Sequence, residues 1–165
     1  MSAPPLQGFP PIVDEHASVL ILGSFPSVQS LSAGQYYANP RNAFWPIISE
    51  LFGVDANAPY DSRLVALRSH GVALWDVLHQ CHRIGSADSA FDPKSLVANN
   101  FVEFFDNYPT IARVYFNGAR AADLYRRLVY PVEGIHYQRL PSTSPAHAVR
   151  PGAKLAAWRV ISAVS

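Results

Sequence analysis

Four short apolar segments constrain the fold of this chain more than any other feature. They are residues 18–23 (SVLILG), 71–78 (GVALWDVL), 112–118 (ARVYFNG) and 135–141 (IHYQRLP). Near-continuous apolar runs of this length are typical of strands buried on both faces of a parallel sheet. The stretches between them repeat apolar residues at helical spacing, so strands and helices are expected to alternate.

The helical stretches predict the layers that cover this sheet. They span residues 41–53, 61–70, 99–109, 119–130 and 153–164. Gly53 is expected to end the first helix and Asp61 to cap the second, while residues 24–40 and 79–92 are expected to form loops. We therefore predict an α/β fold, a three-layer αβα sandwich around a central four-stranded parallel sheet, with residues 1–165 forming a single domain.

Cysteine content and the distribution of apolar residues argue against several classes of protein. Cys81 is the only cysteine, so an intrachain disulfide framework and a four-cysteine metal site are excluded. The segment 79–82 (HQCH) lacks a partner cluster with zinc spacing, and we expect no metal and no cofactor. The N-terminus has no signal-peptide pattern and no long apolar run occurs, so the expected location is the cytoplasm.

Charge is unevenly distributed along the chain. Residues 1–110 hold 5 Lys/Arg against 10 Asp/Glu, whereas residues 111–165 hold 8 Lys/Arg against 2 Asp/Glu. A basic C-terminal third suits a phosphate backbone as partner. A solvated helical surface explains the same composition equally well.

Unusual polar and aromatic residues follow each of the four predicted strands. The strand ends read GSFPS, WDVLH, FNG and LPSTSPAH. Parallel α/β sheets place their sites in loops at the carboxyl ends of the strands. The four segments are therefore expected to converge on one functional site.

Three motifs, in order along the chain, resemble a family of DNA repair enzymes. GSFPSVQSL, YYANPRNAFW and LPSTSPAH together resemble the hypoxanthine-DNA (deoxyinosine) glycosylases, family 6 of the uracil-DNA glycosylase superfamily. PRNAFW is also similar to the PxNxFW block of the mismatch-specific uracil/thymine glycosylases. The resemblance covers about residues 18 to 150.

This resemblance implies a monofunctional glycosylase that flips a deaminated base, hypoxanthine above all, out of DNA and hydrolyses its N-glycosidic bond. It implies a first motif loop beneath the flipped nucleotide, a last motif loop pressed on the DNA, and no metal or cofactor. The expected partner is DNA containing a damaged base, with no membrane, and the chain is expected to act as a monomer. No lysine neighbours the motif loops in sequence, so lyase chemistry is not expected.

Asn39 is the leading catalytic candidate. An amide cannot act as a general base, but its carbonyl oxygen can hold and orient a water, and the resemblance implies an asparagine at this place. The alternative is a turn residue before Pro40. Uracil glycosylases carry a water-holding Asp or Asn at the third position of the first motif, where this chain has Phe25; this departure favours the deoxyinosine branch.

The base pocket is expected to begin with the first motif loop and an aromatic pair. The predicted nucleotide-contacting residues of that loop are Gly23, Ser24, Phe25 and Pro26. Core packing is the alternative for Phe25. Tyr37 is preferred over Tyr36 as the stacking platform, because it is nearer Asn39.

Two strand ends supply further candidates. Asp76 could accept the N1–H of hypoxanthine and repel adenine, which has an acceptor nitrogen there; otherwise it caps a helix or forms a salt bridge. Asn117 is the second catalytic candidate and could bind the base or the water. Its alternative is a turn residue before Gly118.

The last motif loop is expected to contact the DNA backbone. Its hydroxyls and backbone amides suit phosphate oxygens, and two prolines hold its shape. The predicted contacts are Ser142, Thr143, Ser144, His147 and Arg150. A protonated His147 could also favour negative charge on the leaving base, and a surface histidine is the alternative.

Three other functions stay open on the sequence alone. The first is excision of uracil, xanthine or an oxidised pyrimidine within the same superfamily. The second is DNA binding without catalysis on the same fold. The third is hydrolysis of free nucleosides, which would not need a basic C-terminal region.

Overall fold

The computed structural model describes residues 4–86, 90–147 and 149–162. The strands are β1 (Leu6–Gln7), β2 (Val19–Gly23), β3 (Val72–Asp76), β4 (Leu78–Cys81), β5 (Val97–Ala98), β6 (Arg113–Asn117) and β7 (His136–Leu140). The helices are α1 (Val28–Ala33), α2 (Phe44–Phe52), α3 (Tyr60–Ser69), α4 (Phe101–Asn107), α5 (Ala119–Leu128) and α6 (Pro151–Trp158), followed by a 3-10 turn (Arg159–Ser162). None of the helices in these ranges has the length and apolar character needed to cross a membrane.

Four of the strands form a parallel sheet in the order β3-β2-β6-β7. Their ends are level: Gly23 of β2 is paired with Asp76 of β3, and Asn117 of β6 with Leu140 of β7. The predicted four-stranded parallel sheet is confirmed. Because the strands are parallel and in register, their carboxyl ends form one edge where the following loops meet.

Helices pack on both faces of this sheet, because successive side chains of a strand point to opposite faces. Leu20 and Leu22 join a hydrophobic cluster with α4 and α5, whereas Val19 and Ile21 join a second cluster with α2 and α3. All four side chains are buried. The two covered faces make three layers, as predicted for an αβα sandwich.

A second, small sheet corrects two predictions from the sequence. Segment 71–78 is not one strand, because β3 ends at Asp76 and Leu78 begins β4 in an antiparallel sheet of order β1-β4-β5. The predicted loop 79–92 therefore starts as a strand. Only Leu78 and Cys81 of β4 are buried, so its sequence lacks an apolar run, and its pairing partners come from distant parts of the chain.

The predicted loop 24–40 contains a short helix, α1. Ser27 caps this helix by accepting a hydrogen bond from the backbone N–H of Ser30 (3.1 Å), and Gly34, with φ of 66°, ends it. Serine favours caps and turns over helix interiors, which is why the sequence pattern indicated a loop. Gly53, with φ of 71°, ends α2 as predicted.

Two other helix ends differ from the prediction. Helix α3 begins at Tyr60 after Pro59, so Asp61 lies in the first turn and is not the cap. At that position its charge still complements the helix dipole. The C-terminal helix begins at Pro151, a residue suited to a first helical turn, and gives way to the 3-10 turn after Trp158.

Candidate active site at the carboxyl ends of the strands

One cavity of about 390 Å³ lies at the carboxyl edge of the parallel sheet. Its lining includes Gly23, Ser24, Phe25 and Pro26 after β2, Tyr36, Tyr37, Asn39 and Asn42 before α2, Asp76 on β3, Asn117 on β6, and Ser142, Thr143 and Ser144 after β7. The predicted convergence of the four strand ends is therefore confirmed. Cavities of this volume are typical of small-molecule sites.

Asp76 is a buried carboxyl group in the cavity wall. The residue is 5% exposed, and its Oδ2 has no hydrogen-bond partner. Burial raises the pKa of Asp76 to about 7, although the Arg83 guanidinium acts to lower it. Among the residues that the structure describes, Asp76 neither caps a helix nor forms an ion pair within 4.0 Å. An unsatisfied buried oxygen is costly, so this carboxyl is suited to accept a hydrogen bond from a ligand.

Asn39 lines the cavity from within a tight turn. Its Oδ1 accepts the backbone N–H of Arg41 (2.9 Å), and its backbone carbonyl oxygen accepts the N–H of Asn42 (2.9 Å). The turn fixes the direction of the amide, and the amide oxygen keeps a second lone pair for a water. The turn and the catalytic interpretations are therefore compatible, and catalysis by Asn39 stays a prediction.

The two adjacent tyrosines have different environments. Tyr36 is 4% exposed, and its hydroxyl donates to the carbonyl oxygen of Pro10 (2.9 Å). Tyr37 is half-buried, adopts a φ of 55°, and stacks on Phe44 with ring centroids 4.0 Å apart. Burial raises the pKa of both hydroxyls, so both stay neutral. Tyr36 is packed in the core. This supports the prediction that Tyr37, and not Tyr36, stacks on the flipped base.

Asn117 joins the end of β6 to Tyr37 and to the last motif loop. Its Nδ2 donates to the hydroxyl oxygens of Tyr37 (3.2 Å) and Thr143 (2.9 Å), and its Oδ1 accepts the backbone N–H of Thr143 (2.9 Å). Both amide protons are used, so Asn117 can offer a ligand only one lone pair. This geometry supports a positioning role, and the predicted catalytic role stays a prediction.

The last motif loop is held by residues that the sequence reasoning missed. Its carbonyl oxygens accept hydrogen bonds from Trp158 Nε1 to Pro141 (2.8 Å), from the Ala43 N–H to Thr143 (3.0 Å) and from Lys154 Nζ to Ser144 (3.1 Å). Lys154 is 5% exposed, and burial lowers its pKa. The spacing of Lys154 and Trp158, four residues apart on one helix face, was the available signal.

Phe25 belongs both to the cavity wall and to the core. It is 7% exposed and packs edge-to-face on Phe91, with centroids 6.5 Å apart. The Arg83 guanidinium lies 5.2 Å from the Phe25 ring centroid and donates from Nη2 to the carbonyl oxygen of Pro26 (2.7 Å). Arg83 thus supports the first motif loop. The sequence placed it in a loop without a motif and gave no sign of this role.

His147 and Arg150 lie outside the cavity lining. Both are exposed, and Arg150 directly precedes α6. This position suits contact with a DNA backbone and not with a base. In residues 4–86, 90–147 and 149–162, no group of three or more His, Cys, Asp or Glu side chains is arranged to hold a metal ion.

Known proteins resemble the chain over most of its length. A hypoxanthine DNA glycosylase from Methanosarcina barkeri (strain Fusaro / DSM 804) is 36% identical over 118 residues, which cover 71% of this chain and 73% of that protein. A hypoxanthine DNA glycosylase from Methanosarcina acetivorans is 35% identical over 144 residues, covering 86% and 87%.

A solved structure and a family model agree with this likeness. The solution NMR structure of a candidate uracil DNA glycosylase from Methanosarcina acetivorans superimposes with a TM-score of 0.76 at 31% identity, covering 94% of this chain and 97% of that one. The model of the Uracil DNA glycosylase superfamily matches residues 10–162. The resemblance stated from the three motifs is confirmed, and the chain belongs to the uracil DNA glycosylase superfamily.

Proposed function

We propose that this protein is a DNA repair glycosylase that excises hypoxanthine from DNA and leaves an abasic site. One observation carries the proposal: the unsatisfied carboxyl of Asp76 shares a cavity with Asn39 and Tyr37. The two hypoxanthine DNA glycosylases at 35–36% identity support the same substrate.

The cavity can receive a base only after that base leaves the DNA stack. Phe44 covers one face of the Tyr37 ring, so the flipped base stacks on the other face. Stacking of this kind contributes about 1–3 kcal/mol per base and tolerates different bases. Tyr37 therefore holds the base, and another group must identify it.

Asp76 supplies that identification. In its ionised form the carboxylate accepts the N1–H of hypoxanthine, whereas adenine presents an acceptor nitrogen at the same position. Two facing acceptors in a buried site repel each other and leave both groups unsatisfied. Asp76 thus distinguishes the deaminated purine from the normal one.

Asn39 orients the attacking water. The turn through Arg41 fixes its amide, and the remaining lone pair of Oδ1 accepts a hydrogen bond from the water. The water oxygen bonds to C1′ of an oxocarbenium-like sugar as the C1′–N9 bond breaks, and the bonding electrons leave with the base. Since an amide cannot take the released proton, that proton passes to solvent or to the departing base.

The described lining of the cavity contains no lysine, which supports a hydrolytic reaction without a Schiff base. The expected product is an intact abasic strand that breaks only on alkali treatment. We also propose that the protein acts as a monomer, that residues 1–165 fold as one domain, and that it works in the cytoplasm, where a single unpaired cysteine, Cys81, stays reduced.

A panel of oligonucleotides, each with one lesion, tests this function in single-stranded and double-stranded DNA. Hypoxanthine should be released faster than uracil, xanthine or thymine from a mismatch. Preferential release of uracil would assign the enzyme to another branch of its superfamily. DNA binding without any abasic product would support a non-catalytic module, and faster cleavage of free deoxyinosine than of DNA would support a nucleoside hydrolase.

A further inference from the structure

Arg120 is a positively charged residue in the first turn of α5, the helix that follows the strand end at Asn117. It is the second residue of α5 and lies three residues after Asn117. Its Nε is buried and has no hydrogen-bond partner. In the part of the chain that the structure describes, Arg120 forms no ion pair with a carboxylate. The positive charge of the guanidinium is therefore not neutralised by a described carboxylate, and it can pair with an anion.

An aromatic ring holds Arg120 in place and connects it to the cavity. The Arg120 guanidinium carbon lies 5.6 Å from the centroid of Phe91, and the guanidinium of Arg83 lies over the same ring at 5.5 Å. Phe91 in turn packs on Phe25, which lines the cavity. Stacking on an aromatic face pre-orients a guanidinium and leaves its planar edge for donation.

The surroundings of Arg120 are positive and adjoin the last motif loop. Helix α5 starts at Gly118 without a side-chain cap or an acidic residue in its first turn, so its partial positive charge is not offset there. A Cβ at Gly118 would lie 3.0 Å from Cβ of Ser142. The start of α5 therefore lies directly against the loop expected to contact DNA.

We propose that Arg120 binds a phosphodiester of the DNA, at the rim of the cavity between the first and last motif loops. Because Nε is buried, the guanidinium donates from its two Nη groups to the phosphate oxygens, which its planar geometry allows. Contacts of this kind position the duplex and carry no sequence information. The inference rests on the proposed function, since it requires a DNA substrate.

Helix α5 offers a matched pair of variants for the test. Arg120→Gln removes a positive charge from the first turn of α5, near the cavity. Arg127→Gln removes a positive charge from an exposed side chain in the last turn of the same helix. Cleavage of an inosine-containing duplex is measured under single-turnover conditions, over a range of enzyme and salt concentrations. Each enzyme yields a half-saturating concentration, a maximal rate and a salt slope.

Arg120→Gln should raise the half-saturating concentration roughly tenfold, because a charge-assisted hydrogen-bonded contact is lost. Its plot of log affinity against log salt should be shallower by about 0.9, the contribution of one phosphate contact. The maximal rate should stay close to that of the unmodified enzyme. Arg127→Gln should match the unmodified enzyme in all three values.

An unchanged salt slope in Arg120→Gln, or an equal loss in Arg127→Gln, would overturn the inference while leaving the glycosylase function intact. Absence of cleavage by the unmodified enzyme would instead remove the proposed function. Thermal melting checks folding. If Arg120→Gln does not fold, Arg120→Lys decides: it keeps the charge without the planar edge, so its affinity should fall while its salt slope is retained, and an unchanged affinity would overturn the inference.

Discussion

The Asp76 carboxylate occupies the space that a side chain at Gly23 would need. A Cβ built at Gly23 would lie 2.5 Å from Oδ1 of Asp76 and 3.4 Å from the hydroxyl of Tyr37. The two residues are direct neighbours across the parallel pair β2 and β3. The glycine at the end of β2 is therefore a requirement of the site, because it admits the carboxyl that is proposed to identify the base.

Gly23→Ala should consequently displace Asp76 and destabilise the protein by about 1–3 kcal/mol, the usual cost of overpacking. Release of hypoxanthine should fall with it. Urea unfolding and single-turnover cleavage measure the two effects, and Gly152→Ala, where an added Cβ meets nothing within 4 Å, is the control. Adding Asp76→Ala to Gly23→Ala should restore part of the lost stability; a purely additive double variant would show that the two residues do not compete for space.

Asn39→Ala should abolish most of the hydrolysis. The variant loses the amide that is proposed to orient the water, and the expected decrease in the single-turnover rate is about 100-fold or more. Within the described residues, the side chain makes one hydrogen bond, the turn bond to Arg41, so stability should fall by about 1 kcal/mol. Asn39→Asp, which keeps an oxygen acceptor, should retain more activity than Asn39→Ala. Equal rates for Asn39→Ala and the unmodified enzyme would reject the mechanism.

The ionisation of Asp76 should make stability depend on pH. Its pKa is about 7 in the folded protein against an ordinary value of 3.8, so between these values the folded state holds a proton that the unfolded chain releases. This contribution is fully present below pH 3.8 and is lost as pH rises through 7, on the order of 4 kcal/mol. Urea titrations from pH 4 to pH 8 should show this decline relative to Asp76→Asn, and parallel curves for the two proteins would contradict it.

The same ionisation should control selectivity between bases. In the proposed mechanism the ionised carboxylate accepts a hydrogen bond from N1–H of hypoxanthine, whereas the protonated acid can donate one to N1 of adenine. The ratio of hypoxanthine release to adenine release should therefore fall as pH decreases through about 7. Asp76→Asn should have a lower ratio that changes little with pH. A ratio that is constant with pH in the unmodified enzyme would show that Asp76 does not identify the base.

Asn117 should act through its hydrogen bonds. Asn117→Ala removes contacts to Tyr37 and to both the backbone and the hydroxyl of Thr143, so a loss of about 2–3 kcal/mol in stability is expected. Cleavage should fall as well, because the stacking platform and the last motif loop lose their connection. Thr143→Val, which removes only the hydroxyl bond of this network, should lower the rate by a smaller factor. Full activity of Thr143→Val beside an inactive Asn117→Ala would favour direct catalysis by Asn117.

The parallel sheet and the place of the site could be predicted from the amino-acid sequence alone. Apolar runs such as 18–23 depend on local composition, and strands buried on both faces need such runs whatever else surrounds them. The order of strands and helices then brings the strand ends to one edge. The three motifs occur along the chain in the order found in the family that they resemble, so the family could also be identified from the sequence.

Contacts between distant segments determine how the side chains at that edge interact. Asn117 meets Tyr37 across 80 positions and Thr143 across 26, and no local pattern encodes such pairings. The fold likewise separates the charges of the basic C-terminal third. Arg120 lies in the first turn of α5, near the site, whereas Arg127 lies in the last turn, at the opposite edge of the sheet. Long-range packing therefore determines which charges and amides reach the cavity, because each helix returns to the other edge of the sheet before the next parallel strand begins.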